Sequence, residues 1–215
     1  MLKSTELKEV KMSSEVKVDY ENIPSQSNNI RNSALELNGR LIAVYQKVSE
    51  MHAHWYGKRY NELVTKFNEL APQLNQFLEV IVAEVPYMFE GIANNFSEID
   101  IQQNIATARK ESYKKIEEVP IIEDVGMRYI QGEVANIQTE ILSDFTSAKE
   151  LMDSMQKTVQ QIVLECDGAD EFRSQFRILT DTFKQVLDNV ETQFTELMNK
   201  DREQIENAEK ANTTK

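Results

Sequence analysis

Apolar residues recur along this chain at alternating steps of four and three. Ile30, Ala34, Leu37, Leu41, Val44, Val48, Met51 and Trp55 form one such series, and that spacing puts them on a single stripe of one α-helix. Tyr60, Val64, Phe67, Ala71, Leu74, Leu78, Ile81 and Val85 form another, whose phase is broken relative to the first at Trp55-Tyr56-Gly57. Two helices therefore meet there. Gly57 is the natural joint, because a tight reversal needs backbone angles that a Cβ disfavours. Two stripes joined by so short a turn predict an antiparallel helical hairpin.

The pattern then returns. Ile141, Phe145, Ala148, Met152, Met155, Val159, Ile162 and Cys166 repeat the first series, and Cys166-Asp167-Gly168 stands 111 positions after Trp55-Tyr56-Gly57. Phe172, Phe176, Leu179, Phe183, Val186, Val190 and Leu197 repeat the second, with Gln193 as its polar position. The chain thus reads as two copies of one hairpin. A lone hairpin of this size buries too little to offset the entropy of ordering it, so the copies either pack on each other or pair with a second protein. The expected fold is all-α: two tandem helix-turn-helix hairpins packed as an elongated antiparallel four-helix bundle.

The expected boundaries follow from the same pattern. Residues 1–28 read as a flexible N-terminal arm, 29–118 as hairpin 1, 119–200 as hairpin 2 and 201–215 as a flexible, charged C-terminal tail. Helix one is expected over 29–55, and helix two from Lys58, kinked or divided at Pro72 and Pro86, since each proline removes a backbone donor. A looser stretch runs toward Tyr113, and Pro120-Ile121-Ile122 marks the link between the copies. Helix three is expected from Glu123 to Cys166 and helix four over 169–200.

Composition changes this picture mainly by exclusion. A net charge of −12 argues against a nucleic-acid partner, whose phosphates need a basic face. Met1 to Asn29 carries no apolar run, so no signal peptide is expected, and no stretch reaches the roughly 20 apolar residues of a membrane span. Cys166 falls on an apolar stripe and reads as packing. His52 and His54 are two apart and point to different faces of a helix, a poor metal pair. With no phosphate loop and no paired catalytic carboxylates, the chain reads as a non-enzyme without metal or cofactor.

A helical hairpin whose turn reads Trp55-Tyr56-Gly57, in an acidic chain without a signal peptide, resembles the WXG family of small type VII secretion substrates. Members of that family are about half this length and pair as antiparallel dimers of hairpins. The resemblance covers residues 30–118 well and extends to hairpin 2 through its heptads and Gly168, with Cys166 in the place of tryptophan. It implies that Trp55, Gly57, Cys166 and Gly168 form the turn and recognition motif. The family's second mark, Tyr-x-x-x-Asp/Glu, matches Tyr113 with Glu117, and also Tyr129 with Glu133. Tyr113 and Glu117 are the better placed as an export signal, four apart on one helix face, and an antiparallel pairing brings Tyr113 toward the second turn.

The resemblance further implies a monomeric intrachain pseudo-dimer, cytoplasmic before export and secreted without a cleavable signal. Its expected partners are the membrane ATPase of the type VII machinery and a co-secreted helical protein or toxin. The alternative is an intracellular helical scaffold or chaperone that is not exported and binds a partner helix.

Overall fold

The computed structural model describes residues 16–166 and 168–213. A two-residue strand β1 (Lys17–Val18) precedes helix α1 (Ile23–Met51); strand β2 (Trp55–Tyr56) leads into α2 (Lys58–Leu78), a π-helical turn (Glu79–Glu84) and α3 (Val85–Asp100). Strand β3 (Arg128–Tyr129) opens the second half, followed by α4 (Gln131–Gln161), β4 (Leu164–Glu165) and α5 (Ala169–Thr213). Because α2, the π turn and α3 follow one another directly, they act as one long helical arm against α1, as α5 does against α4. The fold is therefore an all-α bundle of two hairpins, elongated because α5 alone, with 45 residues, spans about 68 Å.

The apolar stripes make this core. Every member of the first two series is buried, as is every member of the third from Ile141 to Ile162. α1 packs along α4 at the centre, and ion pairs across that interface fix its direction. Lys47 meets Asp144 at 2.7 Å and Glu140 at 3.4 Å, and Arg40 meets Asp144 at 3.3 Å. Residue numbers fall on α4 as they rise on α1, so the two helices are antiparallel.

Two short ladders tie the halves together reciprocally. β2, at the first turn, pairs antiparallel with β3, the strand before α4, with Trp55 opposite Tyr129 and Tyr56 opposite Arg128. β4, at the second turn, pairs with β1, the strand before α1, with Val18 opposite Leu164 and Lys17 opposite Glu165. The flanking hydrogen bonds match as well: Ile130 donates to the His54 carbonyl at 2.9 Å, and Asp19 to the Val163 carbonyl at 3.0 Å. Each turn thus grips the entry strand of the other hairpin, which is the arrangement of a two-fold dimer written into one chain.

Several expected boundaries move. α1 begins at Ile23, with Pro24 in its first turn, where the missing N–H has no intrahelical partner to lose, so residues 16–28 are not a free arm. Residues 1–15 of that arm, and the last two of the tail, lie outside the described residues. Pro72 sits inside α2 without ending it, and the division comes at Pro86, in the first turn of α3. The π turn just before Pro86 widens the helix where the proline ring would press on the carbonyl four residues back. Helix three starts at Gln131 and not at Glu123, because Arg128–Tyr129 is used as a strand.

The expected tail is helical: α5 continues unbroken through Thr213. Its buried face also differs from the expected series. Phe176, Thr180, Phe183, Leu187, Val190, Phe194, Met198 and Asp201 are buried, whereas Gln193 is exposed. A straight helix of 3.6 residues per turn drifts from a strict heptad, so Phe194 and Met198 take over from Gln193 and Leu197.

Candidate functional site

The first turn is where the predicted motif meets residues from two distant elements, β3 and α5. α1 ends at Met51, β2 sets Trp55 against β3, and Gly57, at φ 125° and ψ −172°, starts α2. That backbone region is close to glycine-only. Trp55 is 1% exposed, with edge-on contacts to Tyr60 at 5.9 Å and Tyr129 at 6.2 Å between ring centroids. The Asp201 carboxylate of α5 lies on the side of its indole N–H. The same carboxylate, 7% exposed, meets Arg59 Nε at 2.9 Å, and Arg59 reaches on to Gln204 at 2.5 Å. A cleft of about 790 Å³ opens beside this group, lined by Trp55, Gly57, Arg59, Asp124, Asp201 and Ile205.

Burial governs the ionisation here. It pushes the Asp201 carboxyl above its ordinary 3.8, and the opposing pull of Arg59 and Trp55 does not cancel it. Burial, and then the Asp124 charge, push the Tyr60 phenol up to about 12; its hydroxyl donates to the Val48 carbonyl at 3.1 Å. His52 Nε2 lies 2.7 Å from Asp124 and its ring packs against Tyr60. His54 is half-buried, and its Nδ1 is buried with no hydrogen-bond partner among the described residues.

At the second turn the equivalence expected for Cys166 shifts. The strand residue facing the other hairpin is Leu164, which is 5% exposed and paired with Val18. Cys166 lies beyond the strand, half-buried, because this turn carries two more residues between strand and glycine than the first. Gly168, at φ 85°, keeps the role of Gly57 in starting the next helix. Leu164 lines a small cavity with Phe89 and Phe172, and Arg173 caps this turn, donating to the carbonyls of Ile162 and Leu164 at 2.8 and 2.9 Å.

Tyr113 and Glu117 do not share a helix face. From Ala106 to Ile122 the chain is an extended strap, running back along α3 and α2 toward the first turn rather than toward the second. Asn94 on α3 holds Ala106, and Asn61 on α2 holds Ile122. Sixteen residues therefore cover the path of 33 helical ones, about 3 Å per residue, as in a polyproline-like chain. Ile116 and Val119 are buried and Tyr113 half-buried, the three-residue period of that conformation. The Tyr113 hydroxyl lies 3.0 Å from both the Asn75 carbonyl and Glu79, while Glu117 is exposed. Tyr129, the other candidate, is committed to β3.

The strap's fasteners were missed in the sequence. Asn61, Asn68 and Asn75 stand seven apart on α2 and each bonds the strap backbone, and Asn38 on α1 donates to the Lys114 carbonyl at 2.9 Å. Their heptad spacing beside the apolar stripe was the available signal. Further up, Glu90 accepts from Arg109 N–H and from the buried Arg31, at 3.3 and 2.6 Å.

Among the described residues no helix is long and apolar enough to cross a membrane, and no group of three or more histidine, cysteine or acidic side chains is arranged to hold a metal ion. No protein-family model matches the chain, and neither the curated proteins nor the solved structures contain a match.

Proposed function

We propose that this chain is a WXG-like protein associated with type VII secretion, with two hairpins fused in one polypeptide, acting by helix–helix recognition and not by catalysis. It is exported itself or accompanies a larger effector as partner or chaperone, and the membrane ATPase of the secretion machine is its receptor. The observation that carries this reading is the reciprocal grip of the two turns on the two entry strands, with a buried tryptophan at one of them. In such an antiparallel unit the C-terminal end of one hairpin reaches the turn of the other, as α5 does when Asp201 meets Trp55. If Tyr113 and Glu117 belong to the export signal, the machine reads them after the strap has lifted, since the Tyr113 hydroxyl is bonded in place.

That same fastening favours the second reading, a helical scaffold or chaperone that stays inside the cell. The test compares the protein in culture supernatant and in cells, in a native strain and in one lacking the type VII membrane ATPase. Supernatant protein that disappears with the ATPase while cellular protein persists supports export. Protein that stays inside in both strains, with the system otherwise active, rejects it and leaves the scaffold.

A further inference from the structure

The seam between α1 and α2 holds an extended chain by its backbone. Asn68 accepts from the Val119 N–H and donates to its carbonyl, both at 2.8 Å. Asn75 does the same for Ile116, at 2.8 and 2.9 Å. An asparagine amide offers a donor and an acceptor side by side, so each rung reads main chain and is indifferent to the side chain that the residue carries. The spacing fits: seven helical residues advance about 10.5 Å and three polyproline-like residues about 9.3 Å, close enough to stay in step over three rungs.

The resident strap does not complete the third rung. Asn61 donates to the Ile122 carbonyl at 3.0 Å, but its Oδ1 is buried and has no hydrogen-bond partner among the described residues. At the complete rungs one residue supplies both N–H and carbonyl, whereas Ile122 presents only its carbonyl to Asn61; an extended segment in register there would present both. Hairpin 2 adds a contrast. It closes its seam directly, with Lys149 of α4 on Asp188 and Glu191 of α5 at 2.8 Å, and Lys184 on Asp153 at 2.7 Å. A hairpin of this plan needs no strap to close.

We propose that the α1–α2 seam is a binding site for an extended polypeptide, occupied by the strap in the free chain, and that its partner ligand is an extended segment with bulky apolar side chains three apart and basic residues toward its N-terminus. The apolar spacing is that of Tyr113, Ile116 and Val119. The basic preference follows from Glu84, which meets Lys110 at 2.5 Å, with Glu79 on the same helical turn also acting on the Lys110 charge. Proline is excluded where Asn68 and Asn75 require an N–H. The site is separate from the export reading and stands or falls without it.

The test uses a fluorescent peptide with the sequence of residues 105–122 and the full chain carrying Ile116→Lys and Val119→Lys. These changes unseat the strap and leave every asparagine in place. Saturable binding is expected, about tenfold or more tighter than to the unaltered chain, whose own strap competes at high effective concentration. Adding Asn68→Ala and Asn75→Ala should weaken it about thirtyfold or more, and a peptide of the same composition with the three-residue spacing scrambled should not bind. Absence of binding to the folded, unseated chain overturns the proposal, as does binding indifferent to the asparagines or to the spacing. Should the unseated chain lose its helical circular dichroism, hydrogen exchange of the unaltered chain decides. Ile116 and Val119 amides exchanging by local opening support an exchangeable strap, and exchange only through global unfolding rejects it.

Discussion

At Gly57 the backbone takes a near glycine-only conformation, φ 125° and ψ −172°, that a Cβ resists, although the added Cβ would find ordinary contacts, 3.4 Å from the Gly126 carbonyl and 3.5 Å from Met127. Gly168 has a positive φ too, but nothing within 4 Å of that position. Gly57→Ala should therefore cost about 1–3 kcal/mol and more than Gly168→Ala, as read from urea denaturation midpoints. Asp201 allows a sharper test. Its folded pKa is raised, so its contribution to stability is fully present below the unfolded value near 3.8 and is lost as pH rises through the folded value. Asp201→Asn keeps an acceptor for the Trp55 indole without the buried charge. It should match or exceed the native chain at pH 7, with an advantage that vanishes near pH 3, whereas Asp201→Ala should destabilise at both. Trp55 was legible from the sequence as the organising residue, and its partners were not. Asp201 lies in a stretch that reads as a solvated tail, and only the reach of α5 past the bundle brings it there.

The strap is the element that sequence periodicity described least well. A three-residue apolar period over Tyr113, Ile116 and Val119 resembles a loosened helical pattern, and nothing local marks it as extended; the marker is on α2, in Asn61, Asn68 and Asn75. The helices, by contrast, were readable because a long stripe on one face admits few alternatives, and what shifted was their ends and, on α5, the buried face. Asn68→Ala and Asn75→Ala each remove two hydrogen bonds and leave a buried N–H and carbonyl unpaired, a cost of about 1–3 kcal/mol each. Because the strap is an extended segment laid on the bundle, much of that cost should appear as local release. Trypsin should then cut at Lys114 and Lys115 markedly faster in either variant, with the thermal transition of the helices lowered by only a few degrees. Equal cutting rates in the native and substituted chains would show that the asparagines do not hold the strap.

On the scale of the whole molecule, the core belongs to neither hairpin alone. Ile30, Ala34, Leu37, Leu41, Val44 and Val48 are at most 1% exposed, along a helix whose chief neighbour is α4 of the other copy. Each fully buried aliphatic side chain there is worth about 1.5–3 kcal/mol, and separating the copies would return this face to water. The covalent link, in contrast, crosses the surface: Val125 is fully exposed, and Gly126 beside it is exposed too. A chain divided between Val125 and Gly126 keeps β3, α4 and α5 on one fragment and the strap with its asparagines on the other. Expressed together, the fragments should assemble one to one, with a mass near 24.9 kDa by light scattering and the helical content of the intact chain. Each fragment alone should self-associate or lose cooperative unfolding, because its central helix has no partner. A hairpin that folds cooperatively as a monomer would contradict the shared core, and the repeat would then be two independent domains joined by a strap.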